Sequence, residues 1–286
     1  MTATLVIARL TVAEAVRRRI VWILFGLTVI SVVLTTSGVG WLVSLARERE
    51  QNQLAISIAV AEILVLVAFM FSFVLAMTAA FLAAPAIATD LETGVAQAIL
   101  ARPIRRTDLV VGRWLGLGIV VLVYAVASGL LEIVAFRLVS NYLPPKPLEA
   151  GLYLAAQAIV LLTIALLLST RLPAMASGAI CVVLFGLGWM SGVLADVGRA
   201  LDATPLVTVA EASRWLLPTD GLWRGAINAL QPPVGVLLGE GSDTIAARAG
   251  PFFAPTPPPV EFLVWAAVWT LLVLGLASWS LERRDL

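Results

Sequence analysis

The chain has 286 residues, of which 60% are hydrophobic and 13% charged, with a net charge of +1 and a mean hydropathy of +1.00. Soluble domains carry about 25% charged residues, so this composition excludes a soluble globular protein. Each helical crossing of a membrane needs about 20 apolar residues. The composition therefore predicts a polytopic membrane protein with several crossings.

The amino-acid composition also excludes several kinds of catalytic and metal site. There is no histidine, and Cys181 is the one cysteine, so an imidazole base, an imidazole metal ligand and a thiol pair are all missing. The one lysine, Lys146, lies among prolines without a glycine-rich nucleotide loop. We therefore expect no catalytic residue, metal site or cofactor on this chain, and an ATPase that drives it must be a separate subunit. No basic run suggests a nucleic-acid partner.

The first predicted element is an interfacial helix over residues 5–19. Arg9, Glu14 and Arg17 are spaced there among apolar residues, and Glu14 stands four positions before Arg18. This pattern is typical of an amphipathic helix on the cytoplasmic surface of a membrane. A continuation of the first membrane span is the alternative interpretation.

Six stretches with few or no charges predict transmembrane helices. They do not alternate as the strands of a β-barrel would, so the predicted fold class is an all-α membrane protein. The predicted spans are residues 20–45, 54–84, 113–136, 150–170, 173–197 and 260–281.

A long outer loop, residues 198–259, is predicted between the last two spans. Within it Thr219 can cap a short helix that carries Leu222, Trp223 and Ile227 on one apolar face. We expect this helix to lie in the outer membrane interface.

The placement of arginines predicts the orientation of the bundle. Ten of them lie close to span ends on one side: Arg17, Arg18, Arg19, Arg102, Arg105, Arg106, Arg113, Arg171, Arg283 and Arg284. The positive-inside rule assigns that side to the cytoplasm. Both termini are therefore predicted to be cytoplasmic, with the chain in the cytoplasmic (inner) membrane.

Residues 90–102, between the second and third spans, predict a short cytoplasmic helix. Thr89 or Asp90 can cap it, Leu91 and Val95 begin an apolar face, and Pro103 ends it. Because membrane helices hold it at both ends, such a helix can pass a push from a partner to two spans at once.

This segment resembles the permease subunits of ATP-binding-cassette exporters of the ABC-2 membrane family. The resemblance lies in Glu92, Thr93-Gly94, Ile99-Leu100, Pro103-Ile104-Arg105-Arg106 and Gly112-Arg113. The order of the Thr-Gly pair is reversed relative to the family, and Arg113 stands where the family has lysine. Residues 217–224 are similar to a stretch of the permeases associated with nitrous-oxide reductase maturation.

The resemblance implies the permease subunit of an ATP-driven exporter of a hydrophobic or amphipathic substrate. Two such permeases, identical or paralogous, would pair in the lipid bilayer, and two ATPase subunits carrying ATP and Mg²⁺ would dock beneath them. The residues implied to couple to the ATPase are Asp90, Glu92, Thr93, Gly94, Ala98, Arg102, Pro103, Arg105 and Arg106. In the family the second and fifth spans line the path near the dimer axis.

Candidates for the translocation path or its gate are Glu62, Glu132, Gly188, Trp189 and Gly192. An ionised carboxylate within a span is costly in lipid, so both glutamates are expected to reach the outer interface. Ion pairs there with outer arginines (Arg47, Arg49 and Arg137) are the favoured interpretation, and substrate contact or outer gating is the alternative. The Gly188-x-x-x-Gly192 spacing permits close helix approach, although such glycines are also common in ordinary membrane helices.

A secondary transporter or channel that needs no ATPase is the alternative function. That class favours inverted repeats and charges at the membrane midplane, but we find no repeat, and both glutamates are predicted near the outer face. A membrane-embedded enzyme is disfavoured, because the lack of histidine removes most nucleophile–base pairs.

Overall fold

A computed structural model of the chain describes residues 3–17, 19–95, 104–232 and 250–284, and within these ranges the chain is helical and has no strand. The all-α prediction is confirmed. The helices are α1 (Ala3–Arg17), α2 (Arg19–Glu48), α3 (Gln53–Ala83), α4 (Pro85–Glu92), α5 (Arg106–Ser140), α6 (Pro147–Ser169), α7 (Ala174–Ala200), α8 (Thr204–Leu216), α9 (Thr219–Leu230) and α10 (Val260–Glu282), with a 3₁₀ turn at Gly250–Phe252.

Six of the described segments are long and apolar enough to cross a membrane, as predicted: α2, α3 together with α4, α5, α6, α7 and α10. The second span is divided into α3 and α4 at Pro85, which has no backbone N–H for the helical ladder. The third span is longer than the predicted 113–136, because α5 begins at Arg106 and ends at Ser140. An even number of spans places both termini at one end of the bundle, which we call the termini end; the opposite end is the loop end.

Helix α6 is the central element of the bundle. Of its most apolar stretch 67% is buried, against 17% for α2 at the periphery. It packs against α3, α5, α7, α9 and α10. Apart from Glu149 and Gln157 its sequence is apolar on all sides, which is typical of a helix in the interior of a membrane bundle.

Helix α1 packs along the first turns of α5 and runs in the same direction. The Thr4 hydroxyl donates to Asp108 at 2.6 Å. Gly112 lies against Ile7 further along, and Gly116 lies against Ala8 and Thr11. The absence of a Cβ at these glycines lets the two backbones approach closely, while Leu5, Val6, Leu10 and Val16 of α1 remain exposed.

The predicted outer loop contains α8 and α9, and α9 is placed differently from our expectation. Ten of its twelve residues are buried. The Gln157 amide, about 15 Å from the start of α6, donates to the Thr219 carbonyl at 3.3 Å, while the Lys146 N–H donates to the Ala229 carbonyl at 3.1 Å. Helix α9 therefore has its N-terminus deep in the bundle and its C-terminus near the loop end.

Two predictions about α9 are thus wrong. It does not lie with one face on a membrane interface, because neighbouring helices cover it on nearly all sides. Thr219 is its first residue and not its cap, since Pro218 precedes it. Among the described residues the buried Thr219 hydroxyl has no hydrogen-bond partner.

The packing of α1 on α5 can be tested with two glycines of the same helix. In Gly116→Ala the new Cβ would lie 2.7 Å from the Ala8 carbonyl oxygen, so we expect α1 to be displaced at a cost of about 1–3 kcal/mol. In the control Gly118→Ala nothing lies within 4 Å, and helix propensity favours alanine by up to about 1 kcal/mol. Thermal unfolding in detergent and proteolysis of α1 measure the difference. Equal behaviour of the two variants would contradict this packing.

Candidate functional site

Arg113 joins three helices at the termini end. Its Nη1 atom donates to Glu14 of α1 at 2.6 Å, and its Nη2 atom donates to Asp90 of α4 at 2.7 Å. The Arg113 and Asp90 side chains are about 14% and 15% exposed, whereas Glu14 is 46% exposed. Charge-assisted hydrogen bonds of this kind are about twice as strong as neutral ones. We call these three residues the Arg113 junction.

Sequence reasoning found the residues of this junction but not their pairing. Glu14 was expected to pair with Arg18, which lies outside the described residues, and the structure shows it in contact with Arg113. Arg113 is 99 residues from Glu14 and 23 from Asp90, so no helical spacing could indicate either contact. The signal that was available is an arginine within a predicted span, where a charge requires a partner.

Asp90, the predicted first residue of the coupling helix over residues 90–102, lies in the last turn of α4. Residues 96–102 of that predicted helix lie outside the described residues. Helix α4 ends at Glu92, and Gly94 then adopts a φ of 75°, a left-handed conformation that glycine adopts without steric cost. The Asp90 carboxylate lies against Arg113 and is largely covered. Glu92 and Thr93 are exposed beyond it, and the Thr93 hydroxyl bonds back to the Thr89 carbonyl at 2.7 Å.

The other predicted coupling residues differ in their surroundings. Arg105 is exposed. Arg106 turns inward, where its Nη1 atom donates to the carbonyls of Leu281 and Glu282 at 3.0 Å and of Arg284 at 2.6 Å. It thereby satisfies carbonyls that the end of α10 leaves without helical partners. Ala98, Arg102 and Pro103 lie outside the described residues.

The two glutamates within spans are in different environments. Glu62 is exposed on the surface of this chain. Glu132 accepts a hydrogen bond from the Thr35 hydroxyl of α2 at 2.8 Å and borders a cavity of about 30 Å³, enough for about one water molecule. Within the described ranges neither forms the ion pair with an outer arginine that we considered.

Gly188 and Gly192 of α7 form the surface on which α9 docks. A Cβ on Gly188 would overlap the Thr219 hydroxyl, and a Cβ on Gly192 would overlap the Asp220 carboxylate. The predicted close approach therefore occurs, and it joins two helices of one chain. The Trp189 ring lies beside Phe69 of α3 at 5.2 Å, and Phe69 also contacts Trp223 of α9 at 5.6 Å.

A network of four charged residues holds α9 in this position; we call it the Asp220 network. Asp220, only 3% exposed, accepts hydrogen bonds from Arg214 at 3.0 Å and from Arg224 at 3.2 Å. Arg224 also donates to Asp196 at 2.8 Å and to the Gly192 carbonyl at 3.0 Å. Burial lowers the pKa of Arg224, but the two carboxylates outweigh this effect and leave the pKa raised. Among these four residues two positive and two negative groups compensate one another where unpaired charges would be costly. Asp196 also pairs with the more exposed Arg199 at 3.1 Å.

The Asp220 network was missed by sequence reasoning, which placed Asp196 at the end of the fifth span and the other three residues in the outer loop. The available signal was the spacing of Asp220 and Arg224, four positions apart on a short apolar helix, which favours an ion pair. Asp196 and Arg214 come from α7 and α8, so their contribution depends on the tertiary fold.

Comparison with protein families gives a match over nearly the whole chain. The model of the ABC-2 family transporter protein matches residues 5–286, a range that includes both the Arg113 junction and the Asp220 network. No curated protein matches the sequence.

The docking surface of α9 can be tested with a second pair of glycines. Gly192→Ala places a methyl group in the Asp220 carboxylate, so we expect it to destabilise the protein by about 1–3 kcal/mol and to loosen α9. Gly186→Ala in the same helix meets nothing within 4 Å and is the control. Thermal unfolding in detergent and hydrogen exchange of α9 are the measurements. Unchanged α9 exchange in Gly192→Ala would show that α9 does not depend on this contact.

Proposed function

This chain belongs to the ABC-2 family of transporter proteins, and on that premise we propose that it is the permease subunit of an ATP-driven exporter. As a family member with six apolar spans, it is a multi-pass protein of the cell membrane. The cargo we propose is a hydrophobic or amphipathic molecule. ATP and Mg²⁺ belong to a separate ATPase subunit, of which two dock beneath two permeases.

The Arg113 junction is the observation that supports coupling. The chain between α4 and α5 connects the second span with the third, and Arg113 ties the helices on either side of it together through Asp90. Through Glu14 the same guanidinium also holds α1. A push on the connecting segment would therefore move α1, α4 and α5 as one body.

The exposed residues of this region are candidates for contact with the ATPase. Glu92 is the last residue of α4, Thr93 follows it, and Arg105 lies just before α5. The turn at Gly94 changes the direction of the chain after α4. We propose that this exposed surface receives the ATPase, while Asp90 and Arg106 pass its movement to the bundle.

Pairing of two permeases is supported by the surfaces of the second and fifth spans. Helices α3 and α7 contact each other through Phe73 and Phe185, whose rings are 5.9 Å apart. Beside this contact both helices expose large apolar side chains: Met70, Phe73 and Val74 on α3, and Val183, Leu187 and Met190 on α7. We propose that these faces meet their counterparts around the path of the cargo.

The junction can be tested by Arg113→Gln in the complex of this chain with its ATPase subunit, reconstituted in liposomes. Loss of a charged hydrogen bond is worth about 1.5–3 kcal/mol, so we expect transport-coupled ATP hydrolysis to fall by about tenfold or more. Assembly of the complex should persist. Arg137→Gln is the matched control, because Arg137 is an exposed arginine at the other end of α5.

The outcomes separate the junction from the function as a whole. Wild-type coupling in Arg113→Gln would remove the junction from the mechanism and leave the exporter assignment intact. Transport by the purified chain without any ATPase would overturn the exporter assignment and favour a secondary transporter or channel.

A further inference from the structure

An open groove runs along the outside of the bundle between α6 and α10; we call it the α6–α10 groove. Its volume is about 520 Å³, which is within the range of about 300–1,000 Å³ for small-molecule sites. Trp114 of α5 and Leu222 of α9 contribute to its lining. Leu152 and Leu271 on its rims are 46% and 61% exposed, so the groove opens to the surroundings of the bundle.

The length of the groove corresponds to one leaflet of a bilayer. On α6 it is lined by one helical face: Glu149, Leu152, Tyr153, Ala156, Ile159 and Val160. From Glu149 to Val160 the helix rises about 16 Å, and half of the hydrocarbon core is about 15 Å thick. On α10 the lining extends from Leu263 to Leu271, beginning near the loop end of that helix. The groove therefore has the depth of the leaflet at the loop end.

The two ends of the groove differ in chemistry. At the loop end Glu149 forms an ion pair with Lys146 at 2.9 Å, and both side chains are about half exposed. Tyr153 lies one helical turn further along α6, and its ring packs over Gly225 of α9. At the deep end the Trp114 indole N–H donates to the Thr163 hydroxyl at 2.8 Å. Because this N–H is already paired, the indole presents only apolar surface to the groove.

We propose that the α6–α10 groove holds one acyl chain of a zwitterionic glycerophospholipid whose headgroup carries a primary ammonium, as in phosphatidylethanolamine. An apolar groove open to a membrane is filled by hydrocarbon, because water has no polar partners there. At its mouth Lys146 faces the lipid phosphate, and Glu149 accepts hydrogen bonds from the lipid ammonium. Phosphatidylglycerol offers no cation to Glu149, and phosphatidylcholine offers no N–H donor.

Native mass spectrometry of the full chain in mild detergent, with phosphatidylethanolamine, phosphatidylglycerol or phosphatidylcholine added separately, tests this proposal. We expect one retained phosphatidylethanolamine per chain, with a preference over the other two lipids of about two- to fivefold, as a half-exposed charge contact supports. Glu149→Gln keeps the packing of the groove and should bring the preference close to one.

Replacement of each of two alanines by tryptophan tests the groove itself. Ala267→Trp fills it with an indole and should abolish the retained lipid. Ala127→Trp is the matched control, because Ala127 is also an exposed alanine on a membrane span but lies outside the groove. Its lipid retention should equal that of the unmodified chain, and thermal unfolding shows whether both variants are folded.

Three results would overturn the proposal. Equal retention of all three lipids by the unmodified chain would mean that the groove is filled by bulk lipid without selection. Loss of chain–chain association in Ala267→Trp, with lipid retention unchanged, would identify the groove as an interface between copies. Loss of transport in Ala267→Trp, with lipid retention unchanged, would mean that the groove holds the cargo and not a lipid.

Discussion

Close approach of helices at glycine is the interaction on which this bundle depends. Lipid tails are as apolar as leucine side chains, so burial of apolar surface drives the association of membrane helices only weakly, and tight packing and hydrogen bonds replace it. Gly112 and Gly116 admit α1 to the side of α5, and Gly188 and Gly192 admit α9 to the side of α7. Both charged clusters depend on these contacts. Arg113 reaches Glu14 because α1 lies against α5, and Arg224 reaches Asp196 because α9 lies against α7.

The arginines that predict the orientation also hold the termini end together. Arg106 donates to the last carbonyls of α10, Arg171 donates to the Ser280 carbonyl at 2.9 Å, and Arg284 donates to the Thr170 carbonyl. Each places a positive charge at a helix C-terminus, where it satisfies free carbonyls and interacts favourably with the helix dipole. One residue type thus serves both topology and packing at this end. For that reason an arginine count alone cannot separate arginines that meet a partner subunit from arginines that close the bundle.

The sequence was sufficient to predict the all-α fold and its six spans, because the length of an apolar run determines whether a helix can cross a bilayer. It was not sufficient to place α9. The sequence of a short helix with one apolar face indicates an interfacial helix. The burial of α9 on nearly all sides depends instead on Gly188 and Gly192, which are about thirty residues away along the chain. The same limit explains the charges. Glu62 and Glu132 were conspicuous because they interrupt apolar runs, whereas Asp196 and Asp220 stand at the edges of such runs and pair only after folding.

Under the proposed function, the mechanical properties of the helices favour one route for a push at the termini end. Helix α4 is joined to α3 at Pro85, where a backbone hydrogen bond of the helical ladder is missing, so under the proposed function movement of α4 is passed less rigidly along the second span. Helix α5, by contrast, runs without interruption from Arg106 to Ser140 and is gripped at Arg113. Near its other end it is bound to α2 through Glu132 and Thr35. Movement of the junction would therefore tilt α5 together with α1 and α2 against the central helix α6. The Asp220 network links α7, α8 and α9 on the other side of α6. The two charged clusters therefore stabilise two separate groups of helices. Under the proposed function, a relative shift between the two groups would open or close the path of the cargo.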